Sequence, residues 1–163
     1  MCLVVMRKAW NIPVQTVFSL ATFNSEAIVN MNICTYVTGV SMQPKRFAIA
    51  VYKNTKTLEN LRGNDLAYLQ VLNEVHAPLV KLLGKQSGMK VNKYERLRKK
   101  SMLQRYDDVE LLGSINAFIQ LKLIHSNDVG DHVLCVFDVL KSRSFSEEAV
   151  LTNQYLMANQ YIL

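Results

Sequence analysis

Apolar residues fall along this chain in short runs separated by turn chemistry, not in long helical stripes. Residues 13–22 open with Pro13 and continue through Val14, Val17, Phe18 and Leu20, a composition suited to a first strand. Asn24, Ser25 and Glu26 supply turn chemistry, and residues 27–37 predict a second strand through Ile28, Ile33, Tyr36 and Val37. Gly39 and Pro44 break the pattern over residues 38–46. The nearly unbroken apolar run at 47–52 then predicts a strand buried on both faces.

Polar residues follow. Thr57 is placed to cap a short helix that Gly63 would end in the left-handed conformation. Residues 66–72 predict another strand. Leu79, Val80, Leu82 and Leu83 form a helical stripe, with Pro78 in a first turn that tolerates it. Ser87 and Gly88 interrupt the chain. Ile115, Ala117, Ile119, Leu121 and Leu123 recur at period two, the mark of a half-buried strand over 114–125. Residues 126–131 predict a turn, and 132–140 a further apolar strand. Thr152 is placed to cap a short last helix. Strands dominate, and neither internal repeats nor βαβ alternation occur. The expected fold is mainly β with short α insertions, a single antiparallel barrel spanning residues 1–163 as one domain.

Composition narrows the class. Half of the 163 residues are apolar and 20% are charged, which suits a packed core and excludes a disordered chain. Three cysteines with no C-x-x-C spacing argue against a disulfide scaffold and for a reducing, cytoplasmic setting. No apolar run approaches the ~20 residues of a membrane span, and the apolar opening at 1–6 is too short for a signal segment.

The net charge of +6 is concentrated locally. Lys90, Lys93, Arg96, Arg98, Lys99, Lys100 and Arg105 are opposed within that stretch only by Glu95. Such a run is read as a solvated face, as a site for a phosphate-bearing small molecule, or as a nucleic-acid patch. His76, His125 and His132 lie on separate elements, so no metal site is expected. No Gly-x-Ser-x-Gly elbow and no Walker or Rossmann glycine pattern occurs. Cys34, inside an apolar strand, reads as a core thiol. After the strand ending at Tyr52, the residues Lys53, Asn54, Thr55 and Thr57 lead into a helix. They could dock a phosphate at the helix start or simply cap it.

The order of these pieces resembles the flavin reductase-like proteins of the FMN-binding split-barrel fold. Asn30 through Ser41, followed by Pro44, resembles that family's flavin-facing strand and loop. The stretch from Val51 to Thr57 resembles its phosphate-binding turn, and Ser87, Gly88 and Lys93 fall in its S-G-x-x-x-D-K-F segment. Gly130, Asp131 and His132 resemble its G-D-H turn. Tyr36, Gln70, Asn92 and the pair Gln120 and Leu121 depart from the family's usual residues, and one proline follows Ser41 where two are common.

The resemblance implies an antiparallel split β-barrel and an FMN site, with FAD as an alternative. It implies Asn32, Ile33, Cys34, Thr35, Val40 and Ser41 along the flavin ring. Tyr52, Lys53, Asn54 and Thr57 would serve the phosphate side, and Lys93 the same phosphate or that of a nicotinamide donor. It further implies NADH or NADPH as co-substrate, His132 positioning the nicotinamide, and a homodimer. The implied activity is hydride transfer between nicotinamide and flavin, as an NAD(P)H:flavin oxidoreductase. The rivals are a flavin carrier or redox-sensing binding protein without turnover, a pyridoxamine-phosphate oxidase-like enzyme, and a nucleic-acid binder using the basic run.

Overall fold

The computed structural model describes residues 7–162, so Cys2 and the apolar opening lie outside the described residues. Among the described residues, nine strands form a mainly antiparallel β fold. They are β1 (Phe18–Phe23), β2 (Val29–Cys34), β3 (Val37–Met42), β4 (Lys45–Tyr52), β5 (Leu66–Val71), β6 (Leu103–Tyr106), β7 (Val109–Leu112), β8 (Ala117–Asp128) and β9 (His132–Ser144). Four helices are inserted: α1 (Lys56–Gly63), α2 (Val80–Lys85), α3 (Lys93–Lys99) and α4 (Asn153–Ala158). A 3-10 turn at Glu74–Leu79 leads into α2.

Seven strands make one sheet in the order β2-β1-β5-β8-β9-β4-β3, and β6 and β7 form a separate hairpin. The two outermost strands, β2 and β3, are consecutive in the chain and joined by residues 35–36. Laid flat, seven strands would hold these edges about 29 Å apart. Three peptide steps reach at most about 11 Å. The sheet therefore curls until its edges approach, and because β2 and β3 are not hydrogen-bonded neighbours the barrel stays split along that seam.

Alternation along the strands feeds two apolar cores. Leu20, Ile49, Val51, Leu69, Leu121 and Phe137 pack with Leu58 and Leu61 of α1. On the other side, Met31, Tyr68, Phe118 and Leu111 pack with Leu83 of α2 and Leu97 of α3. The middle strands β1 and β5 are thus buried on both faces. Their inward polar groups pair with each other: Gln70 Nε2 donates to Ser19 Oγ at 3.1 Å, and Gln70 Oε1 accepts from Leu112 N–H at 2.8 Å.

Several elements differ from the sequence expectation. Residues 38–46, expected as a break, form most of the β3–β4 hairpin, whose register shifts between Gly39 and Ser41 and leaves Val40 unpaired as a bulge. Glycine and proline marked the bulge and the tight turn, not a loop. The run at 47–52 is buried through Ala48, Ile49 and Val51, and the expected burial on both faces fails only at its end, where Tyr52 is exposed. Thr55, not Thr57, caps α1, its Oγ1 accepting from Leu58 N–H at 3.3 Å. Gly63 is the last residue of α1 and lacks a positive φ, and the chain leaves through extended Asn64. Strand β8 runs on to Asp128, which shortens the expected turn at 126–131. Thr152 does cap α4, accepting from Tyr155 N–H at 3.1 Å. No helix among the described residues is long and apolar enough to cross a membrane.

Candidate functional site

The site grows from the end of β4. Beyond Tyr52 the chain must turn sharply into α1, and Asn54 takes a positive φ of 58°, which its short polar side chain tolerates. Thr55 Oγ1 donates to the Tyr52 carbonyl at 2.7 Å while capping the helix, so one hydroxyl fixes both sides of the turn. Thr57 is freed from capping. It is buried, and its Oγ1 accepts from Asn30 Nδ2 of β2 at 3.2 Å, which ties the first turn of α1 to the outermost strand.

Opposite this turn, α2 ends and the chain passes through Ser87 and Gly88. A Cβ on Gly88 would lie 2.3 Å from Asn30 Oδ1 and 3.0 Å from Lys56 Cβ, so only glycine lets this segment lie so close to β2 and α1. Between the two walls is a cavity of about 370 Å³. That falls in the range of small-molecule sites, roughly 300–1,000 Å³. Asn32, Ile33, Tyr52, Asn54, Thr57 and Lys93 line it, joined by Asn30, Thr55, Lys56 and the stretch 83–88.

Two groups in this cavity have unmet bonding capacity. Asn32 Nδ2 donates to the Ile33 carbonyl at 3.1 Å, but its Oδ1 is buried with no donor. Lys93, the first residue of α3, is only 4% exposed. Its Nζ donates to the Leu83 carbonyl at 2.7 Å, and burial pushes its pKa down to about 8. An ammonium has three donors; one is spent on Leu83.

The remaining candidates lie elsewhere. Lys53 Nζ reaches Asp128 Oδ2 at 2.5 Å on the β8–β9 hairpin and does not line the cavity. That contact, with help from the Gly130 N–H, holds the Asp128 carboxyl below its usual range. Cys34 points into the barrel core, and burial pushes its thiol up to about 12, consistent with a core thiol. Thr35 lines a neighbouring groove with Tyr36, Val37 and Ala50. Val40 and Ser41 sit at the bulge of β3, outside the cavity wall.

His132 stands at the rim. Its ring is 5.1 Å from that of Tyr52 and 5.4 Å from that of Tyr36. His132 Nδ1 lies 2.6 Å from Asp131 Oδ1. A carboxylate can only accept, so Nδ1 carries the proton and Nε2 is left for another partner. The same hydrogen bond holds the Asp131 carboxyl below its usual range. Tyr52 belongs to both the aromatic trio and the cavity wall, and so links the two.

The basic run forms α3 and its flanks. Asn92 caps this helix, Oδ1 accepting from Glu95 N–H at 3.0 Å, in the place where the aspartate of the resembling segment would stand. Arg96, Arg98, Lys99 and Lys100 face solvent, and Lys93 alone among the basic residues of α3 is buried. Sequence reasoning missed the wall at 83–86 because those residues carry no distinctive chemistry. Gly88 and Asn30 were within recognisable segments, but their contact was not.

The profile of the flavin reductase like domain matches residues 14–158. No curated protein sequence matches the chain. Among solved structures, an FMN-binding protein from Thermus thermophilus with bound 1-cyclohex-2-enone superposes with a TM-score of 0.72 at 20% identity, covering 88% of this chain and 78% of that one. The flavoredoxin of Desulfovibrio vulgaris (Miyazaki F) gives 0.70 at 18% identity over 86% and 77% of the two chains. An NADH:FAD oxidoreductase of Streptomyces globisporus C-1027 gives 0.76 at 13% identity over 90% and 85%. These likenesses extend the agreement in fold, and the profile match covers nearly the whole chain: the protein belongs to the flavin reductase like domain family.

Proposed function

We propose that this chain, acting as one domain, binds FMN, with FAD as the alternative, and works as an NAD(P)H:flavin oxidoreductase. The observation that carries the reading is the pairing, in one cavity, of the donor-less Asn32 Oδ1 with the under-used ammonium of Lys93. A flavin nucleotide offers N–H and hydroxyl donors to the first and a phosphate to the second. The residues present therefore fit the group.

Flavin, when bound, supplies the two-electron chemistry of hydride exchange with a nicotinamide. The chain's part is to bind and orient. Lys93 and the first N–H groups of α1, presented by the Thr55 cap, attract the phosphate. Asn32 Oδ1 accepts a hydrogen bond from the nucleotide, and Ile33 gives it an apolar surface. Asp131 fixes the tautomer of His132, whose free Nε2 and flanking Tyr36 and Tyr52 hold the nicotinamide at the rim. Proximity of this kind can lower a barrier by roughly 7–11 kcal/mol.

We further propose a homodimer in a cytoplasmic setting. Among the described residues strand β3 pairs only with β4, and it exposes Val40 and Met42, an edge that calls for a cover. The free thiols of Cys34 and Cys135 suit a reducing compartment.

The test is titration of the purified chain with FMN and riboflavin, followed by NADH and NADPH oxidation with flavin added. Binding that favours FMN, with steady nicotinamide oxidation, is the expected result. Tight flavin without turnover would make the protein a carrier, and no flavin binding would overturn the reading.

A further inference from the structure

A second cavity, of about 760 Å³, shares no lining residue with the first. It opens beside the 3-10 turn at Glu74–Leu79 and the segment that follows β9. Its floor is a buried carboxamide network. Asn73 Nδ2 donates to the Ser114 carbonyl and to Asn116 Oδ1, both at 2.8 Å. Asn116 Nδ2 donates to the Glu148 carbonyl at 2.6 Å, and Ser146 Oγ donates to Asn116 Oδ1 at 2.7 Å. Both Asn73 Nδ2 donors and the Ser146 hydroxyl are thus engaged inside the protein.

One acceptor is left over. Asn73 is 4% exposed, and its Oδ1 is buried without a hydrogen-bond donor. Asn73 and His76 bracket the 3-10 turn as a capping box, which turns the His76 N–H toward that oxygen as its one internal donor, short of full hydrogen-bond geometry. A buried carbonyl left in this state is costly, and native proteins rarely leave one without a partner.

The wall above the floor is apolar and aromatic. Phe145 stacks obliquely on Tyr106, centroids 4.7 Å apart, and remains 41% exposed, while Val75 nearby is 70% exposed. Charge completes the picture. The lining holds two carboxylates, Glu74 and Glu148, and no lysine, arginine or histidine, in a chain whose net charge is +6. Arg143 lies over the Phe145 ring at 5.5 Å from its centroid, outside the lining, and its charge is answered by Asp107 at 2.5 Å. The flavin cavity, lined by Lys56, Lys85 and Lys93, has the opposite character.

We propose that this second cavity is a binding site for an organic cation, an amine with an aromatic or alkyl body. The ammonium donates to Asn73 Oδ1 and to a carboxylate of Glu74 or Glu148. The body packs on Phe145, Tyr106 and Val75, gaining from apolar burial and from the aromatic faces. Carboxylate or phosphate ligands are repelled by the same lining. The site is independent of flavin binding, since no residue is shared.

The experiment is amide chemical-shift mapping on the full chain, with phenethylamine as the probe and phenylacetate as its anionic counterpart. Phenethylamine should shift the amides of Asn73, Val75, Phe145 and Ala149 to saturation. Replacing both carboxylates, Glu74→Gln with Glu148→Gln, should weaken it by about tenfold or more, the loss expected from one charge-assisted contact. Phe145→Ala serves as a second variant, expected to weaken phenethylamine while leaving FMN affinity unchanged. No shift with phenethylamine, as for a cavity that takes water alone, would overturn the proposal. Equal binding of phenylacetate, shifts confined to Tyr52 and Asn54, or unchanged affinity in the double variant would do the same.

Discussion

Lys93 Nζ donates to the carbonyl oxygen of Leu83 across 2.7 Å, joining the start of α3 to the interior of α2 at the cavity proposed for flavin. This places a lysine of lowered pKa where a phosphate is expected. Below about 8 the side chain is charged and attracts the phosphate; above it the free protein releases the proton. A bound phosphate favours the charged form and raises that pKa, so FMN binding takes up a proton above pH 8. The affinity for FMN should therefore fall as pH rises past 8, by up to tenfold per unit, while riboflavin affinity stays flat. Calorimetric titration at several pH values checks this, and Lys93→Met should remove the pH dependence along with the preference for FMN.

Folding stability carries the same signature. The unfolded lysine titrates at its ordinary value of 10.5 and the folded one at about 8. Between these values the unfolded chain holds more protons, so the Lys93 contribution makes stability rise with pH across that window. Urea unfolding at pH 8 and pH 10 should show the gain in wild type and a smaller one in Lys93→Met.

Thr55 and Thr57 should separate capping from anchoring. Thr55→Ala removes the cap of α1 and should cost about 1 kcal/mol. Thr57→Val keeps the cap but leaves Asn30 Nδ2 without its acceptor, at a cost of about 1–3 kcal/mol. Denaturant midpoints measure both, and a Thr55→Ser variant should restore most of the first loss.

Gly88→Ala should damage the site through shape alone. The new methyl would meet Asn30 Oδ1 at 2.3 Å, and Asn30 is held by Thr57, so the segment at 87–88 must shift. Overpacking of this kind costs about 1–3 kcal/mol. Flavin titration should show weaker binding of FMN and riboflavin alike.

Lys53 is turned toward Asp128, so Lys53→Ala should alter FMN affinity no more than riboflavin affinity. His132→Ala should raise the KM for NADH or NADPH and leave FMN affinity unchanged. Steady-state kinetics with flavin titrations distinguish these two outcomes from general loss of structure.

Much of the barrel was legible because strand periodicity and turn residues are local signals. The period-two run ending at Leu123 found β8, and the apolar block from Val133 found β9. The β3–β4 hairpin was not legible: Gly39, Ser41 and Pro44 are loop-like taken locally, and what makes Gly39 and Ser41 a strand is pairing with β4, itself held by β9, some 90 residues away in sequence, through Arg46 and Asp138 and their neighbours. Of the residues that the order of motifs singled out, Asn32, Ile33, Tyr52, Asn54, Thr57 and Lys93 line one cavity. That order could not tell which lysine turns inward. Lys53 and Lys93 carry the same charge, and only the position of Asp128, 75 residues from Lys53, draws one of them outward. The choice between Thr55 and Thr57 as cap likewise depended on where the helix begins, a matter of two residues.

The sheet order bears on how the chain is made. The β3–β4 hairpin leaves the ribosome early, but its neighbour in the sheet is β9, which begins 80 positions after Tyr52. At typical synthesis rates that delay is roughly 4 to 16 s. Throughout it, β4 offers an unsatisfied backbone edge and the apolar side chains of Ile49 and Val51. The nascent protein must therefore pass through a stage in which half a barrel waits, sticky and unshielded, for a strand still to be translated.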